Sequence, residues 1–437
     1  MNSFQNQKND KECVKKVNTR LMKFIECLTH KEVSRPVFKF ICEAVGGILI
    51  SGNLIIRSMA VALMEDNKAP GTVEKRISLH LRDENLHNKI NSWLLKSASP
   101  EIQVYTPIAI DLTDTQRPHA DKTPGVEKNY DGSTGKTGKG YKHLGAAAII
   151  KTKGGREFLP LYQDTFGLNE ETKLIGNDNP EIDSEYNHFE KCIKSLSETF
   201  GGPVGIDIFD RGGDDKKYFG CELHYRRWFL IRMCKALRYV SYKGKNYYPK
   251  NLLPFVQWHT TKCQVYDKKK KKWKKRNRQI GWLEVEVKVQ YPNGKTETKK
   301  LVLVVVKFKK RKMFLLTNLT VDDAGDTAEQ VKFAKMLYEC YLLRWGIESC
   351  FDMLKNRIDV EKIFARTYFS AKNLFALAWL ALAFVTVALE ASEQLAKYLL
   401  GKPQRYYKCK IPVCKAFLLF TSLKLLWQRY CISFSFH

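Results

Sequence analysis

The stretch from Ile102 to Cys234 constrains the fold most, because three strand-like runs come first and helices alternate with strands only afterwards. YTPIAIDL, YKHLGAAAII and REFLPLYQDTF are each apolar or alternating and bounded by turn-rich sequence, which marks β-strands. Glu185 to Phe200 follows with helical spacing, PVGIDIF is a short apolar strand running into Asp210, KKYFGCELHYRR is helical, and WFLIRMC is another strand. The order βββαβαβ predicts an α/β fold with one carboxylate, Asp111, on the first strand and another, Asp210, at the end of the fourth.

Four further regions flank this first part of the core, which spans residues 101–234. Residues 1–100 read as helical, and SGNLIIRSMAVALMEDNKAPGTVEKRISLHL looks like two helices with a break at Asn67 to Gly71. Leu54, Met59, Val61 and Leu63 are expected to pack the first, while Lys75, Arg76 and His80 on the second face solvent, a layout compatible with helix-turn-helix contact to DNA. Residues 235–325 are basic and β-rich: WLEVEVKVQ and LVLVVVKF are expected to pair across Pro292-Asn293-Gly294, and Asn-Gly between such runs is a strong hairpin signal. Upstream, DKKKKKWKKRNRQ is either a solvated loop or a phosphate-gripping arm, with Trp273 or Trp282 placed to stack on an unpaired base. Residues 326–400 hold the second part of the core, with a long helix from about Ala328 through Ile358. The tail, 401–437, carries no usable signature; SLKLLWQRY suits either dimer contact or core packing.

Charge narrows the partners. The chain carries 74 Lys and Arg against 46 Asp and Glu, a formal net charge of +28, far beyond what solubility needs and suited to a polyanion. Nucleic acid leads. A membrane is the rival, but the only segment that could support insertion, Leu374 to Leu389, is shorter than the roughly 20 residues a span requires and reads as a buried core helix. No apolar stretch follows the amino-terminal charges, so no secretory signal is expected and the protein is expected in the cytoplasm, on the nucleoid if bacterial. The 12 cysteines read as small buried hydrophobes, and Cys409 and Cys414 lack the second pair or histidines of a zinc site.

The sharpest pattern is YLLRWGIESCFDMLK, where Tyr341, Arg344, Glu348 and Lys355 follow the spacing Y-(2)-R-(3)-E-(6)-K. On a continuous helix these four fall within a sector of roughly 60°, beside an apolar stripe of Leu343, Ile347, Phe351, Leu354 and Ile358. Ordinary amphipathicity explains the stripe but not the matched register of four functional residue types.

This motif resembles the signature of the IS-four family of insertion-sequence transposases, which are DDE-type enzymes. IAIDLTDT is similar to the family's first-Asp strand, DRGGD at Asp210 to Asp214 to its second-Asp turn, and LLTNL to the strand preceding its catalytic Glu. The resemblance covers about Ile102 to Ile358. It implies a ribonuclease-H-like catalytic core interrupted by a β-rich insertion, with Asp111, Asp210 and Glu348 as catalytic metal ligands. Asp114 competes with Asp111 for the first position; Asp111 is preferred because it directly follows the apolar IAI. Asp210 is preferred over Asp207 by strand alternation and the Arg-Gly-Gly that follows it.

The activity implied is metal-dependent cleavage of transposon ends and strand transfer into target DNA, cut-and-paste through a hairpin intermediate. Two Mg²⁺ ions, with Mn²⁺ able to substitute, suit in-line displacement at phosphorus, and hard cations take carboxylate oxygens. By the resemblance, Asp111 bridges the two ions, Asp210 holds one and Glu348 the other. Tyr341, Arg344 and Lys355 contact DNA near the cut, with Lys75 and Arg76 contributing from the amino-terminal helices. The implied partners are double-stranded DNA, as terminal inverted repeats and target, and a second copy of the chain in a synaptic complex. The alternative is a catalytically inactive, transposase-derived DNA-binding protein.

Overall fold

The computed structural model describes residues 2–29, 32–63, 69–117, 125–131, 135–152, 155–167, 184–234, 238–267, 272–309, 311–389, 393–406 and 415–429. Five helices open the chain: α1 (Asn2–Leu28), α2 (Arg35–Ser51), α3 (Ile56–Leu63), α4 (Pro70–His80) and α5 (Leu86–Ala98), with a two-residue strand β1 (Leu54–Ile55) before α3. Helix α2 starts behind a Pro in its first turn and stops at Gly52, whose φ of 67° is the left-handed conformation that closes helix ends.

The central strands are β2 (Pro107–Gln116), β3 (Glu127–Asp131), β4 (Lys136–Thr152), β5 (Gly155–Phe166), β6 (Ile206–Phe209) and β7 (Trp228–Arg232). Helix α6 (Glu185–Phe200) lies between β5 and β6, and α7 (Lys216–His224) between β6 and β7. Thus the expected βββαβαβ order is present, with β3 as an added strand. Five of these strands lie side by side as β5, β4, β2, β6, β7, in chain order the third, second, first, fourth and fifth. β4 runs antiparallel to β2 and β5, while β6 and β7 run parallel to β2.

The basic β-rich region continues the same sheet. Its strands are β8 (Val240–Tyr242), β9 (Lys245–Tyr247), β10 (His259–Asp267), β11 (Lys272–Gln290), β12 (Thr296–Phe308) and β13 (Arg311–Thr317). β11 and β12 form the expected hairpin, its turn held by the Gly294 amide donating to the Tyr291 carbonyl, with φ 82° at Gly294. Antiparallel β13 then docks beside β7, so the strands make one 12-stranded sheet.

Beyond it come α8 (Thr327–Leu342), α9 (Trp345–Met353), the short strand β14 (Ile363–Phe364), α10 (Tyr368–Ala383), α11 (Glu393–Tyr406) and α12 (Lys415–Arg429). The expected single helix from Ala328 to Ile358 is instead broken at Leu343 and Arg344, where the backbone turns between α8 and α9, and it ends in a π-turn over Leu354–Ile358.

Strand alternation sorts the core into layers. On one sheet face Ile108, Ile110, Phe209, Phe229 and Ile231 pack with α6 and α7. On the other, Ile206, Ile208 and Leu230 pack with α8, while Ala109, Ala147 and Ile149 pack with α9 and α10. The amino-terminal helices share this last core with the carboxy-terminal ones: Trp379 and Trp427 are buried among residues of α1 and α2, and Trp427 donates to Asn18. Asn373 on α10 stitches the two regions further, donating to the carbonyls of Leu81 and Asp83 and accepting from the His87 amide. So SLKLLWQRY packs the core as far as it is described; Cys409, Cys414 and the last eight residues lie outside the described residues.

The apolar helix is longer than the sequence suggested. Tyr368–Ala388 is long and apolar enough to cross a membrane, yet 89% of its most apolar window is buried inside the protein. Seven of the nine described cysteines are buried and all nine are free thiols.

Candidate active site

Asp111 lies on β2 and Asp210 one residue past β6, and the parallel register that matches Ala109 with Ile208 carries on to set Asp111 beside Asp210. Both belong to the alternation set of Ala109 and Ile208, so their side chains rise on the face that α8 and α9 cover. Glu348 comes to the same place from the first turn of α9.

Two glycines allow that approach. A Cβ at Gly145, the β4 residue opposite Asp111, would stand 2.8 Å from the Phe351 ring, and one at Gly346 would stand 2.0 Å from Ile149 Cδ1. Without side chains at these points α9 lies directly on the sheet.

Arg344 sits among the carboxylates. Its guanidinium donates to Asp111 Oδ2 at 2.5 Å and to Glu348 Oε1 at 2.5 Å. Asp111 also accepts from the Leu112 amide at 2.9 Å, and Asp210 accepts from the Gly212 amide at 2.6 Å, capping the turn Arg211–Gly213. Burial is the largest influence on Asp111; with the charges of Asp210 and Glu348 it outweighs Arg344 and the Leu112 amide and pushes the carboxyl up to about 6. Burial works against the Arg344 charge, but Asp111, Tyr341, Glu348 and Asp210 together hold the guanidinium above its ordinary range. Asp210 and Glu348 thus both act on Asp111, and Arg344 links Asp111 to Glu348. Among the described residues no three His, Cys, Asp or Glu side chains stand close enough to hold a metal ion as they are.

The competing acids are engaged elsewhere. Asp114 pairs with Lys355 at 3.3 Å and with Gln116. Asp207 faces the opposite side of the sheet, where Arg227 grips it with two hydrogen bonds of 2.7 and 2.8 Å in complete burial. Asp214 accepts from the Cys234 amide and pairs with Arg238, and Asp215 caps α7.

Several expected DNA contacts are placed differently. Tyr341 is only 5% exposed, because it continues the buried stripe of Ala334, Leu337 and Tyr338 on α8 against β6 and β7; burial raises its hydroxyl against the pull of Arg232 and Arg344. Arg76 does not face open solvent but bonds the buried Glu43 at 2.9 and 3.0 Å, and His80 stacks on Phe40. Lys75 is exposed, as expected. Val61, expected to pack, is exposed, whereas Leu54, Met59 and Leu63 are buried. Trp282 donates to Asp322 and stacks on His259, and Trp273 lies against Tyr266.

Sequence reading missed Arg232, the last residue of β7, which the register between Phe209 and Ile231 brings beside Asp210 and which interacts with Tyr341. An Arg closing the strand next to an acidic strand end was the available signal. A buried polar layer also went unread: Asp164 holds both His188, at 2.5 Å, and Lys372, at 2.9 Å, and His143 bridges Thr115 and Thr165 at 2.9 Å each.

No family model matches this chain, and no curated protein matches it. Among solved structures it is similar to a piggyBac transposase in its synaptic complex with hairpin DNA, at 10% identity and a TM-score of 0.38, over 96% of this chain and 81% of that one.

Proposed function

We propose that this protein is a DDE-type DNA transposase with a ribonuclease-H-like core, cleaving element ends and joining them to target DNA. One observation carries the reading: Asp111, Asp210 and Glu348, from three separate elements, converge on one face of the sheet around Arg344. The strand order of β5, β4, β2, β6 and β7, with only β4 antiparallel to its neighbours, supports the ribonuclease-H-like assignment.

The donor set fits divalent metal. All three groups offer hard oxygen, and the charges of Asp210 and Glu348 both act on Asp111. Asp111, Asp210 and Glu348 would hold two Mg²⁺ or Mn²⁺ ions, which when bound supply activation of the attacking oxygen and stabilisation of the leaving one. The chain's own residues orient the DNA. Arg344, once exchanged off the carboxylates, and Lys355 are the cations nearest them along α9 and its π-turn, and each suits a phosphate of the distorted strand. Arg232 and the buried Tyr341 fix the floor beside Asp210.

The same proposal includes the hairpin route implied by the sequence, the 3′-hydroxyl of the first cut attacking the opposite strand, and a homodimer that pairs two element ends in the cytoplasm. Its test is a denaturing gel of end duplexes taken from the DNA flanking the gene, with Mg²⁺ or Mn²⁺ and a gel shift alongside. Nick, hairpin and break appear as separate bands; Asp111→Ala, Asp210→Ala and Glu348→Ala keep the shift and lose all three. Binding by the wild type with no cleavage in either metal would instead favour an inactive DNA-binding derivative.

A further inference from the structure

A groove of about 460 Å³ opens between α3, α4 and β14, lined by Arg57, Lys75, Leu79, Arg82, Phe364 and Arg366 among others. Its composition is unusual for a surface at rest. Leu79 is 64% exposed and Phe364 63%, the two most exposed large apolar side chains among the described residues. Four cations line it against one carboxylate, Glu74, which pairs with Arg57 at 3.3 Å. Lys75, Arg82 and Arg366 are exposed and make no side-chain ion pair among the described residues.

The backbone beneath is firmly held. β1 and β14 pair in parallel, matching Leu54 with Ile363 and Ile55 with Phe364, so the buried Leu54 and Ile363 anchor an outward Phe364. The groove is also tied to the carboxylates. Glu361 accepts from the Gln116 amide at 3.3 Å, and its carbonyl accepts from Arg117 at 2.6 Å, at the far end of the strand that carries Asp111. From Asp111 to Gln116 that strand covers roughly 17 Å, a distance that a short stretch of single strand spans.

We propose that this groove binds a single, unstacked stretch of the DNA strand that leads to the carboxylates, with phosphates on Lys75, Arg82 and Arg366 and a base stacked on Phe364. The inference rests on the nucleic-acid reading above and adds a second contact to it. Cations alone would suit duplex, single strand or anionic lipid equally. An exposed aromatic on a rigid strand beside unpaired cations selects an exposed base face, because stacking needs an unstacked base and tolerates any sequence.

Fluorescence anisotropy with the full chain tests this, using labelled oligothymidylate, a blunt duplex of equal length, and phosphatidylserine vesicles. Phe364→Ala weakens oligothymidylate binding about tenfold and duplex binding less than about twofold. The double substitution Arg82→Ala with Arg366→Ala weakens both DNAs and reduces the salt slope for oligothymidylate by about 1.4. All three substituted side chains are exposed, and unchanged melting temperatures confirm that the variants fold. Wild-type oligothymidylate binding that Phe364→Ala leaves unchanged overturns the inference alone, as does loss of vesicle binding with DNA binding intact. Failure of the wild type to bind either DNA overturns both this inference and the transposase reading.

Discussion

Arg344 and Asp111 stand 233 positions apart in the chain and 2.5 Å apart in the structure, joined guanidinium to carboxylate. Glu348 holds the other side of the same guanidinium, so one side chain neutralises two of the three proposed ligands. It therefore competes with any other cation for them. Arg344→Met should tighten Mn²⁺ binding by roughly tenfold, about 1.4 kcal/mol, read by electron paramagnetic resonance of the free ion. Weaker binding would mean that the guanidinium arranges the carboxylates rather than competing for them.

Asp111 gives the fold a pH dependence with a definite sign. Its carboxyl is pushed up to about 6, first by burial, whereas an unfolded Asp titrates near about 3.9. Ionisation therefore costs the folded state; the cost is absent below about pH 4, grows between the two values and is complete above about pH 6. Asp111→Asn removes it, and should stabilise the protein at about pH 8 by on the order of 2 kcal/mol, with no gain near about pH 4. Thermal melts across that range decide the matter. A variant less stable than wild type at the alkaline end would show that the Arg344 contact outweighs burial.

The buried ion cluster of Asp164 should behave in the opposite way. Burial works to raise its carboxyl, but Lys372 and then His188 hold it well below the usual range. Its contribution is thus present above about pH 4 and lost as acid protonates the folded carboxylate. Asp164→Ala leaves Lys372 buried without its partner and should cost roughly 3–5 kcal/mol at neutral pH, measured by urea unfolding. An effect within error of zero would contradict the contacts described.

Removing residues 1–100 should destroy the fold, not merely end recognition. Ile48 and Leu49 of α2 belong to the same core as Trp379 and Trp427, and Asn373 is bonded to the turn after α4. The truncated chain is expected to be insoluble, or open to protease throughout. A soluble, protease-resistant product with sharp near-ultraviolet circular dichroism would show that the sheet stands without these helices.

Sequence patterning made the order of central elements legible, because alternation in IAIDL and GIDIF reports directly which residues face a helix. It separated Asp210 from Asp207 for the same reason, and the structure puts those two on opposite faces. Periodicity failed at the Tyr341 helix. A wheel assumes an unbroken helix, and nothing in YLLRWGIE marks the turn at Leu343 and Arg344, from which Arg344 reaches across to β2. Long-range partners were equally hidden. No local pattern pairs Arg76 with Glu43, or places tail residue Trp427 against Asn18, since those contacts depend on how distant helices dock.

The proposed function requires that Asp111, Asp210 and Glu348 form one cation site. Asp210 tests it most cleanly, because it accepts from the neighbouring Gly212 amide while Arg344 grips the other two carboxylates. Calorimetric titration of Mn²⁺ into the wild type should give saturable binding, and Asp210→Ala should weaken it at least about tenfold, about 1.4 kcal/mol, in a variant that still melts cooperatively. Equal Mn²⁺ affinity in the two proteins, or no saturable binding by the wild type, would contradict the account.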